Sequence, residues 1–345
     1  MNELRMSKPE QAIQTILSGT DLIVVDVGAA YGLPWHLRVL ERMATVCYFE
    51  PDEKAAEVIR KDARARGLKK VNVFPVALAS TEGERTLYVT NAPTGTSLLK
   101  PGSAFAIEFG NPDYFHPIRE VPIRTRRMRD VLAEEGLARV DAIKLDVQGA
   151  ELEVLTGLGQ GLADETLAVE LEIGFPGAYL EQPGFGEVGN FMSAANFDLF
   201  DLRLASHHRH HKGDWDYYWR TVFQVPRESK TLTKRITEAD GIFFRRVNLV
   251  LARRDENVVR RQIVLMCTYG FFVEALNLID RAGDAGIFDV ARSQACRQAV
   301  MDWHAAVRDV VADSPLLEKI VNFVRSISQR LQGRLLGRRF YRWNS

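Results

Sequence analysis

Through roughly the first two hundred residues, apolar runs of strand length alternate with segments whose apolar residues recur at helical spacing. This alternation is typical of βαβ units, in which helices connect parallel strands and cover the sheet. The clearest strands are predicted at 22–27, 45–49 and 141–147. We therefore expect an α/β fold, a doubly wound Rossmann-like sheet with helices on both faces.

The other elements are predicted from the same periodicity and from the Gly and Pro residues that bound it. Further strands are predicted at 71–79, 85–90 (as a hairpin), 121–124, 167–173, 197–204 and 241–245. Helices are predicted at 34–43, 52–66, 128–135, 150–158 and 187–197. Residues 91–120 show no regular period, so we expect a long loop that acts as a lid or a substrate-binding segment.

The chain divides into three predicted parts. Residues 1–20 are an N-terminal helix or extension, 21–252 the Rossmann-like domain and 253–345 a helical C-terminal region appended to it. Helices of that last region are expected at 258–281, 290–311 and 315–335. Within the domain, an insertion of about 205–239 lies between the last two predicted strands.

After Glu318 the sequence contains Lys and Arg but no acidic residue, interleaved with apolar and aromatic residues. One interpretation is a basic amphipathic helix that makes a peripheral contact with an anionic membrane or with a protein partner. The other is a solvated helix face packed on the domain. The sequence leaves both open.

The composition excludes several classes of protein. Forty-five basic and forty-five acidic residues cancel, so no overall field attracts nucleic acid, and we expect no nucleic-acid partner. Cys47, Cys267 and Cys296 are too widely spaced for a disulfide framework or a CxxC metal site. The polar N-terminus lacks the apolar segment of a signal peptide, and no apolar run could span a bilayer, so we expect a cytoplasmic protein.

Two strand ends carry the residues of a nucleoside-binding crevice. The first strand runs into DVGAAYG at 26–32, a glycine-containing turn whose amides can approach a cofactor, although Gly28 can also serve turn geometry alone. The second ends at Glu50, where doubly wound folds place a carboxylate on ribose hydroxyls. The glycines are spaced GxxxG, with Ala30 in place of the second glycine of a dinucleotide fingerprint, which favours a cofactor without a pyrophosphate.

Three blocks occur in order: VDVGA at 25–29, FEP at 49–51 and IKLDVQGAE at 143–151. Together they resemble the FkbM family of methyltransferases. The resemblance extends over about 20–246 and includes VAL at 76–78, GTSL at 95–98 and ADGIF at 239–243. Gln148 stands where that family usually has Glu, which removes one charge.

The resemblance implies a class I methyltransferase sheet and S-adenosylmethionine as the cofactor. In this interpretation the turn at 26–32 holds the methionine end, Glu50 the ribose, and 76–78 borders the adenine. The predicted cofactor-binding residues are Asp26, Gly28, Ala29, Gly32, Glu50, Pro51, Ala77, Leu78 and Asp146. Asp146 would stand at the mouth of the site, or alternatively cap the helix that follows it.

Candidates for the proton acceptor are Asp146, His207 and His208, which we predict as catalytic residues, with Glu170 and Glu172 as further strand-end carboxylates. The histidines at 207–211 match no standard metal spacing, so no metal is predicted. They either supply a base or hold an anionic substrate, or they belong to a solvated loop. The aromatic residues at 215–219 either hold a ring of the acceptor or pack beneath the insertion.

These observations favour an S-adenosylmethionine-dependent methyltransferase that acts on a hydroxyl of a sugar, glycan or secondary metabolite, with the acceptor class taken from the family alone. One alternative is a nicotinamide-dependent oxidoreductase, which the glycine spacing disfavours. The other is a membrane- or partner-docking protein whose α/β domain only senses the cofactor.

Overall fold

The computed structural model describes residues 6–312 except 31, 109–114, 210, 212, 213, 215, 227 and 228. The strands of this part are β1 (Ile23–Val27), β2 (Thr45–Phe49), β3 (Val71–Phe74), β4 (Ala77–Leu78), β5 (Gly83–Thr90), β6 (Pro117–Arg126), β7 (Ala142–Leu145), β8 (Ala168–Gly174), β9 (Phe197–His207) and β10 (Arg235–Arg245). The helices are α1 (Lys8–Leu17), α2 (Glu53–Ala65), α3 (Ser103–Glu108), α4 (Met128–Glu134), α5 (Glu151–Leu158), α6 (Gln160–Glu165), α7 (Phe185–Ala194), α8 (Val247–Ala252), α9 (Glu256–Thr268), α10 (Phe272–Asp284) and α11 (Val290–Ala312).

The main sheet has the strand order β3-β2-β1-β7-β8-β10-β9. The first five of these strands pair in parallel, whereas β10 runs antiparallel to both β8 and β9. The order reverses between β1 and β7, and ligands of open α/β sheets bind at the carboxyl ends of the strands flanking such a switch point. The predicted doubly wound α/β fold is confirmed.

Successive residues of the central strands face opposite sides of the sheet, as pleating requires. Val25 and Val27 belong to a core shared with α4, α5 and α7, whereas Val24 belongs to one shared with α1, α9, α10 and α11. Because α9 is apolar around most of its circumference, it is buried from Val258 to Thr268. The C-terminal helices therefore share a core with the sheet. The predicted division of the chain at residues 20 and 252 remains a prediction.

Two predicted elements are wrong in a way that the local chemistry explains. The predicted helix at 34–43 is a series of tight turns that contains one 3-10 segment, Arg38–Leu40. The turns still bury Leu33, Leu37 and Leu40, whose spacing is compatible with a helix. The predicted strand at 71–79 breaks at Pro75, which has no N–H for a ladder. Its second half, β4, belongs to a separate sheet of order β4-β6-β5. Because β6 lies between the other two strands, β5 pairs with β6 and not with β4.

Other predicted boundaries shift. The loop predicted at 91–120 contains α3 and the start of β6, and the helix predicted at 258–281 divides into α9 and α10 at Gly270, whose φ of +91° favours glycine. The insertion is confined to 208–234, because β9 and β10 extend into the predicted segment.

The helix predicted at 315–335 and the basic residues beyond Glu318 lie outside the described residues. Within the described part, no helix combines the length and apolar character needed to cross a membrane.

Candidate active site

Asp26 lies near the carboxyl end of β1, in register with Lys144 of β7 across the switch point. Its side chain is fully buried, and neither carboxylate oxygen has a hydrogen-bond partner among the described residues. The Lys144 ammonium is 3.6 Å away, an ion-pair distance longer than a hydrogen bond. Burial raises the pKa of Asp26 to about 6, with Lys144 opposing the rise. A buried carboxylate of this kind is costly unless something binds it.

Lys144 connects Asp26 to the mouth of the crevice. Its Nζ lies 3.3 Å from Oδ2 of Asp146 as well as 3.6 Å from Asp26. Although burial opposes it, the carboxylates of Asp146, Asp26 and Glu170 raise the pKa of Lys144 above its ordinary value. The lysine is thus a fixed cation between carboxylates.

The turn after β1 is built around Gly28. Its φ is +77°, and a Cβ there would lie 1.9 Å from the backbone oxygen of Asp146, so only glycine fits between β1 and β7. The amides of Gly28 and Ala29 both donate to the carbonyl of Phe49, and Ala29 is buried. Around Gly32, by contrast, a Cβ would meet nothing within 4 Å, so this part of the turn faces open space.

Glu50 follows β2 and is only 7% exposed. Its Oε1 accepts a hydrogen bond of 2.9 Å from the amide of Asp52, while Pro51 leads directly into α2. Burial raises the pKa of Glu50 to about 7, although the Asp52 amide lowers it. Ala77 and Leu78 are buried in β4, just beyond the end of β3.

Asp146 is the most accessible of the predicted cofactor-site carboxylates, with a side chain 42% exposed. It accepts a hydrogen bond of 2.8 Å from Nε2 of Gln148, whose φ is +58° and whose Oε1 accepts from the Tyr179 hydroxyl at 2.8 Å. The amides of Val147 and Gly149 are bonded instead by the Glu151 carboxylate. Ala150 is the N-cap residue of α5, and no side-chain capping hydrogen bond is made there among the described residues, so Asp146 does not take the capping role considered for it.

Further carboxylates line the same edge on β8 and β10. Gln148 donates to Glu172 at 3.3 Å, and burial together with the charge of Asp146 raises the pKa of Glu172 well above its ordinary value. Burial and Asp240 raise the pKa of Glu238 to about 7. Desolvation between the walls of the crevice, with the charge of Glu170, raises that of Asp240 to about 6. The mouth therefore concentrates carboxyl groups whose ionisation is suppressed by burial and by one another.

A buried cluster next to this row was missed by the sequence reasoning. Oε2 of Glu170 lies 2.9 Å from Nε2 of His36 and accepts a hydrogen bond of 2.9 Å from the Tyr269 hydroxyl. Arg203 lies 3.5 Å from His36 and over the Tyr269 ring. These contacts lower the pKa of Glu170 despite its burial. His36 and Tyr269 are far apart in sequence, so no local spacing could have revealed them.

The structure places the predicted histidines in a separate group, within and beside the insertion. His207 ends β9, and its Nδ1 lies 2.7 Å from Oγ1 of Thr237, whereas His208 lines a cavity of about 230 Å³. A larger hollow of about 520 Å³, bordered by α4 and α5, shares no lining residue with the crevice. Among the described residues, no group of three or more His, Cys, Asp or Glu side chains could hold a metal ion. His210 and Trp215 fall outside the described residues.

Comparison with known proteins gives a family match and several distant relatives. Residues 26–199 match the model described as "Methyltransferase FkbM domain". The 2-O-methyltransferase NoeI of Sinorhizobium fredii (strain NBRC 101917 / NGR234) is 26% identical over 163 residues, 44% of this chain and 63% of that protein. Methyltransferase sdnD of Sordaria araneosa is 31% identical over 163 residues, 40% of this chain and 60% of that protein. The chain thus spans less than two thirds of the length of these relatives.

Among solved structures, a similar chain is magnesium protoporphyrin IX methyltransferase (ChlM) from Synechocystis PCC 6803 with bound SAM. It is 12% identical, with a TM-score of 0.31, and the match covers 68% of this chain and 79% of that chain.

Proposed function

Because the chain belongs to the FkbM methyltransferase family, we propose that it is an S-adenosylmethionine-dependent methyltransferase that methylates a hydroxyl oxygen. The observation that carries this proposal is the buried Asp26 carboxylate, which has no hydrogen-bond partner among the described residues and stands at the switch point of the sheet. A carboxylate so placed is suited to a ligand that brings a cation or hydroxyl donors.

The residues of the crevice fit the two polar ends of this cofactor. Asp26 and the open side of the turn at Gly32 would hold the methionine end, where an ammonium supplies the cation that the Asp26 site requires. Glu50 would hold the ribose, since doubly wound folds place a carboxylate at this position on ribose hydroxyls. Ala77 and Leu78 would contribute an apolar border for the adenine.

When bound, S-adenosylmethionine supplies a methyl carbon already activated by a sulfonium. The protein therefore has to align an acceptor oxygen and receive its proton. Asp146 is the proposed proton acceptor, because its carboxylate is accessible at the mouth and is oriented by Lys144 and Gln148. Glu238, with a pKa of about 7, is the alternative, since a base of near-neutral pKa is effective at physiological pH.

The carboxyl groups at the mouth also limit the acceptor. Those of Glu172, Glu238 and Asp240 can exchange hydrogen bonds with hydroxyl groups, whereas a phosphate would add negative charge where burial already resists carboxylate ionisation. This favours a neutral polyhydroxylated acceptor, a sugar, glycan or secondary metabolite, over a nucleic acid. NoeI, a 2-O-methyltransferase by name, is consistent with oxygen as the accepting atom.

The test is transfer of a labelled methyl group from S-adenosylmethionine to a panel of sugars, glycans, phenols and amines, with the product's methylated atom located by NMR. We expect methyl ethers, and a strong loss of turnover in Asp146→Asn at saturating S-adenosylmethionine. Methylation confined to nitrogen or carbon would contradict the assignment of oxygen, and full activity of Asp146→Asn would exclude Asp146 as the proton acceptor.

A further inference from the structure

The insertion, 208–234, leaves and re-enters the sheet at the edge that carries the crevice. β10 begins at Arg235, which pairs with His207 at the end of β9, and Glu238 of β10 pairs with Gly174 at the carboxyl end of β8. Since ligands of this fold bind outside the carboxyl ends of the strands, the insertion stands where an acceptor must approach.

Within the insertion lies the cavity of about 230 Å³. Its walls combine three aromatic residues, Tyr218, Trp219 and Phe223, with side chains that can hydrogen-bond, His208 and Thr231 among them. Its volume is below the roughly 300–1,000 Å³ of sites for drug-sized ligands, so it suits a single ring and not a large molecule.

The cavity is connected to the mouth of the crevice through α3 and the residues that precede it. Arg209, which lines the cavity, donates a hydrogen bond of 2.6 Å to Glu108 at the end of α3. The segment leading into α3 bonds the 178–180 region, where the amide of Gly102 donates to Ala178 at 2.8 Å. The neighbouring Tyr179 hydroxyl donates to Gln148, the residue that bonds Asp146.

The lining chemistry indicates the class of ligand. Aromatic faces pack against the apolar C–H face of a pyranose, while hydroxyl and imidazole groups bond its hydroxyls. An anionic ring would need an uncompensated cation, but the Arg209 guanidinium is already neutralised by Glu108. A neutral ring is therefore favoured over a uronate or a sugar phosphate.

We propose that this cavity, the insertion cavity, binds one neutral sugar ring of the methyl acceptor, an inference that rests on the proposed methyl transfer to a hydroxylated acceptor. The ring held here orients the acceptor so that a hydroxyl of the same molecule faces the crevice. The insertion thereby determines specificity without contributing to cofactor binding.

The experiment is saturation-transfer NMR of the full chain with the methyl glycosides of glucose, galactose, mannose, fucose and glucuronate. We expect at least one neutral glycoside to bind, and Trp219→Ala and Tyr218→Ala each to weaken it by about tenfold. Thr231→Val, a nearly isosteric change, serves as the variant least able to disturb folding and should also weaken binding. The matched control is Val222→Ala, in the same π-helical turn (Tyr217–Val222) but not part of the cavity lining, and it should leave binding intact.

Absence of binding by every neutral glycoside, preference for the glucuronate, or equal binding by wild type and all three cavity variants would overturn the proposal. Titration of the same samples with S-adenosylmethionine separates the two hypotheses. If Trp219→Ala binds the cofactor but no longer binds the glycoside, the result supports the insertion cavity. If the wild type does not bind S-adenosylmethionine, the proposed function is refuted, but glycoside binding in the insertion cavity is not.

Discussion

Asp26, in β1, and Asp141, which immediately precedes β7, are both fully buried, and they differ in what surrounds them. Asp141, at the amino edge, accepts a hydrogen bond of 2.7 Å from the amide of Ile23 and lies 3.0 Å from Nε of Arg261 and 3.4 Å from Nε of Arg139. Within the described part of the chain, the ion-pair partner of Asp26, toward the carboxyl edge, is Lys144 at 3.6 Å. Both carboxyl groups have a raised pKa, chiefly through burial.

The contrast separates a charge that holds the fold together from one that the fold leaves for a ligand. Arg261 belongs to α9, so its pair with Asp141 fastens the C-terminal helices to the sheet. The neighbouring Arg260 donates to the carbonyl of Leu17 at 2.9 Å, which satisfies an acceptor at the end of α1. At the amino edge the charge of Asp141 is paired with two arginines, although its Oδ1 makes no hydrogen bond among the described residues, whereas the carboxyl edge accumulates carboxyl groups.

The largest expected effect comes from removing an arginine at the amino edge. Arg261→Ala leaves Asp141 with one fewer cation in a buried site and should lower the free energy of unfolding by about 3 kcal/mol. Urea denaturation checks this. Arg297→Ala, which removes an exposed ion pair with Asp280, is the control and should cost less than about 1 kcal/mol. Equal losses in the two variants would show that the buried pair has no special role.

At the other edge we expect the reverse behaviour. Asp26→Asn removes a buried charge that lacks a hydrogen-bond partner among the described residues, so the free energy of unfolding should stay constant or rise. Affinity for S-adenosylmethionine should fall roughly hundredfold, the equivalent of one charge-assisted hydrogen bond. Asp141→Asn should do the opposite, losing stability while its folded fraction keeps the affinity. A destabilised Asp26→Asn of normal affinity would invert the comparison.

The pH dependence of stability tests the same comparison. The pKa values of Asp26 and Glu50 are raised to about 6 and about 7, above their ordinary values near 4, so the folded state holds their protons more tightly than the unfolded state. Their protonated forms favour folding, and each group should lower the stability of the unliganded protein by roughly 2–3 kcal/mol as pH rises from 4 to 7.5.

Urea titrations across this range measure the effect, and Asp26→Asn should flatten the slope. Cofactor affinity should change in the opposite sense, rising with pH as the carboxylates ionise. Stability that instead increases from pH 5 to 7.5 would contradict the assignment of these groups.

The smallest expected effect concerns the ribose. Glu50→Gln keeps the size of the side chain and one acceptor oxygen, so affinity for S-adenosylmethionine should fall only about tenfold. Glu53→Gln, an exposed change three residues away, should leave it unchanged. Calorimetric titration of both variants distinguishes a contact with the ribose from a general loss of charge.

Local sequence patterns were enough to predict which residues lie together at the carboxyl edge. Asp26, Gly28, Glu50 and Asp146 each follow or end an apolar run, so their arrival at one edge follows from parallel pairing. Contacts that depend on tertiary packing could not be predicted in this way. Tyr269 reaches Glu170 only because α9 is buried against the sheet, and Lys144 gains its role from register with Asp26.

Boundaries failed for a related reason. The apolar spacing of Leu33, Leu37 and Leu40 is compatible with a helix and with consecutive tight turns, and only the space beside β1 and β2 selects between them. Where the chain has Pro75 or Gly270, backbone chemistry divided elements that the apolar pattern alone would have continued.

The central claim, that the carboxyl edge of this sheet is a site for S-adenosylmethionine, is tested most directly by calorimetric titration of the full chain with S-adenosylmethionine, S-adenosylhomocysteine and NAD in parallel. We expect saturable binding of the first two and none of NAD. Binding of NAD alone, or of none of the three, would contradict the account.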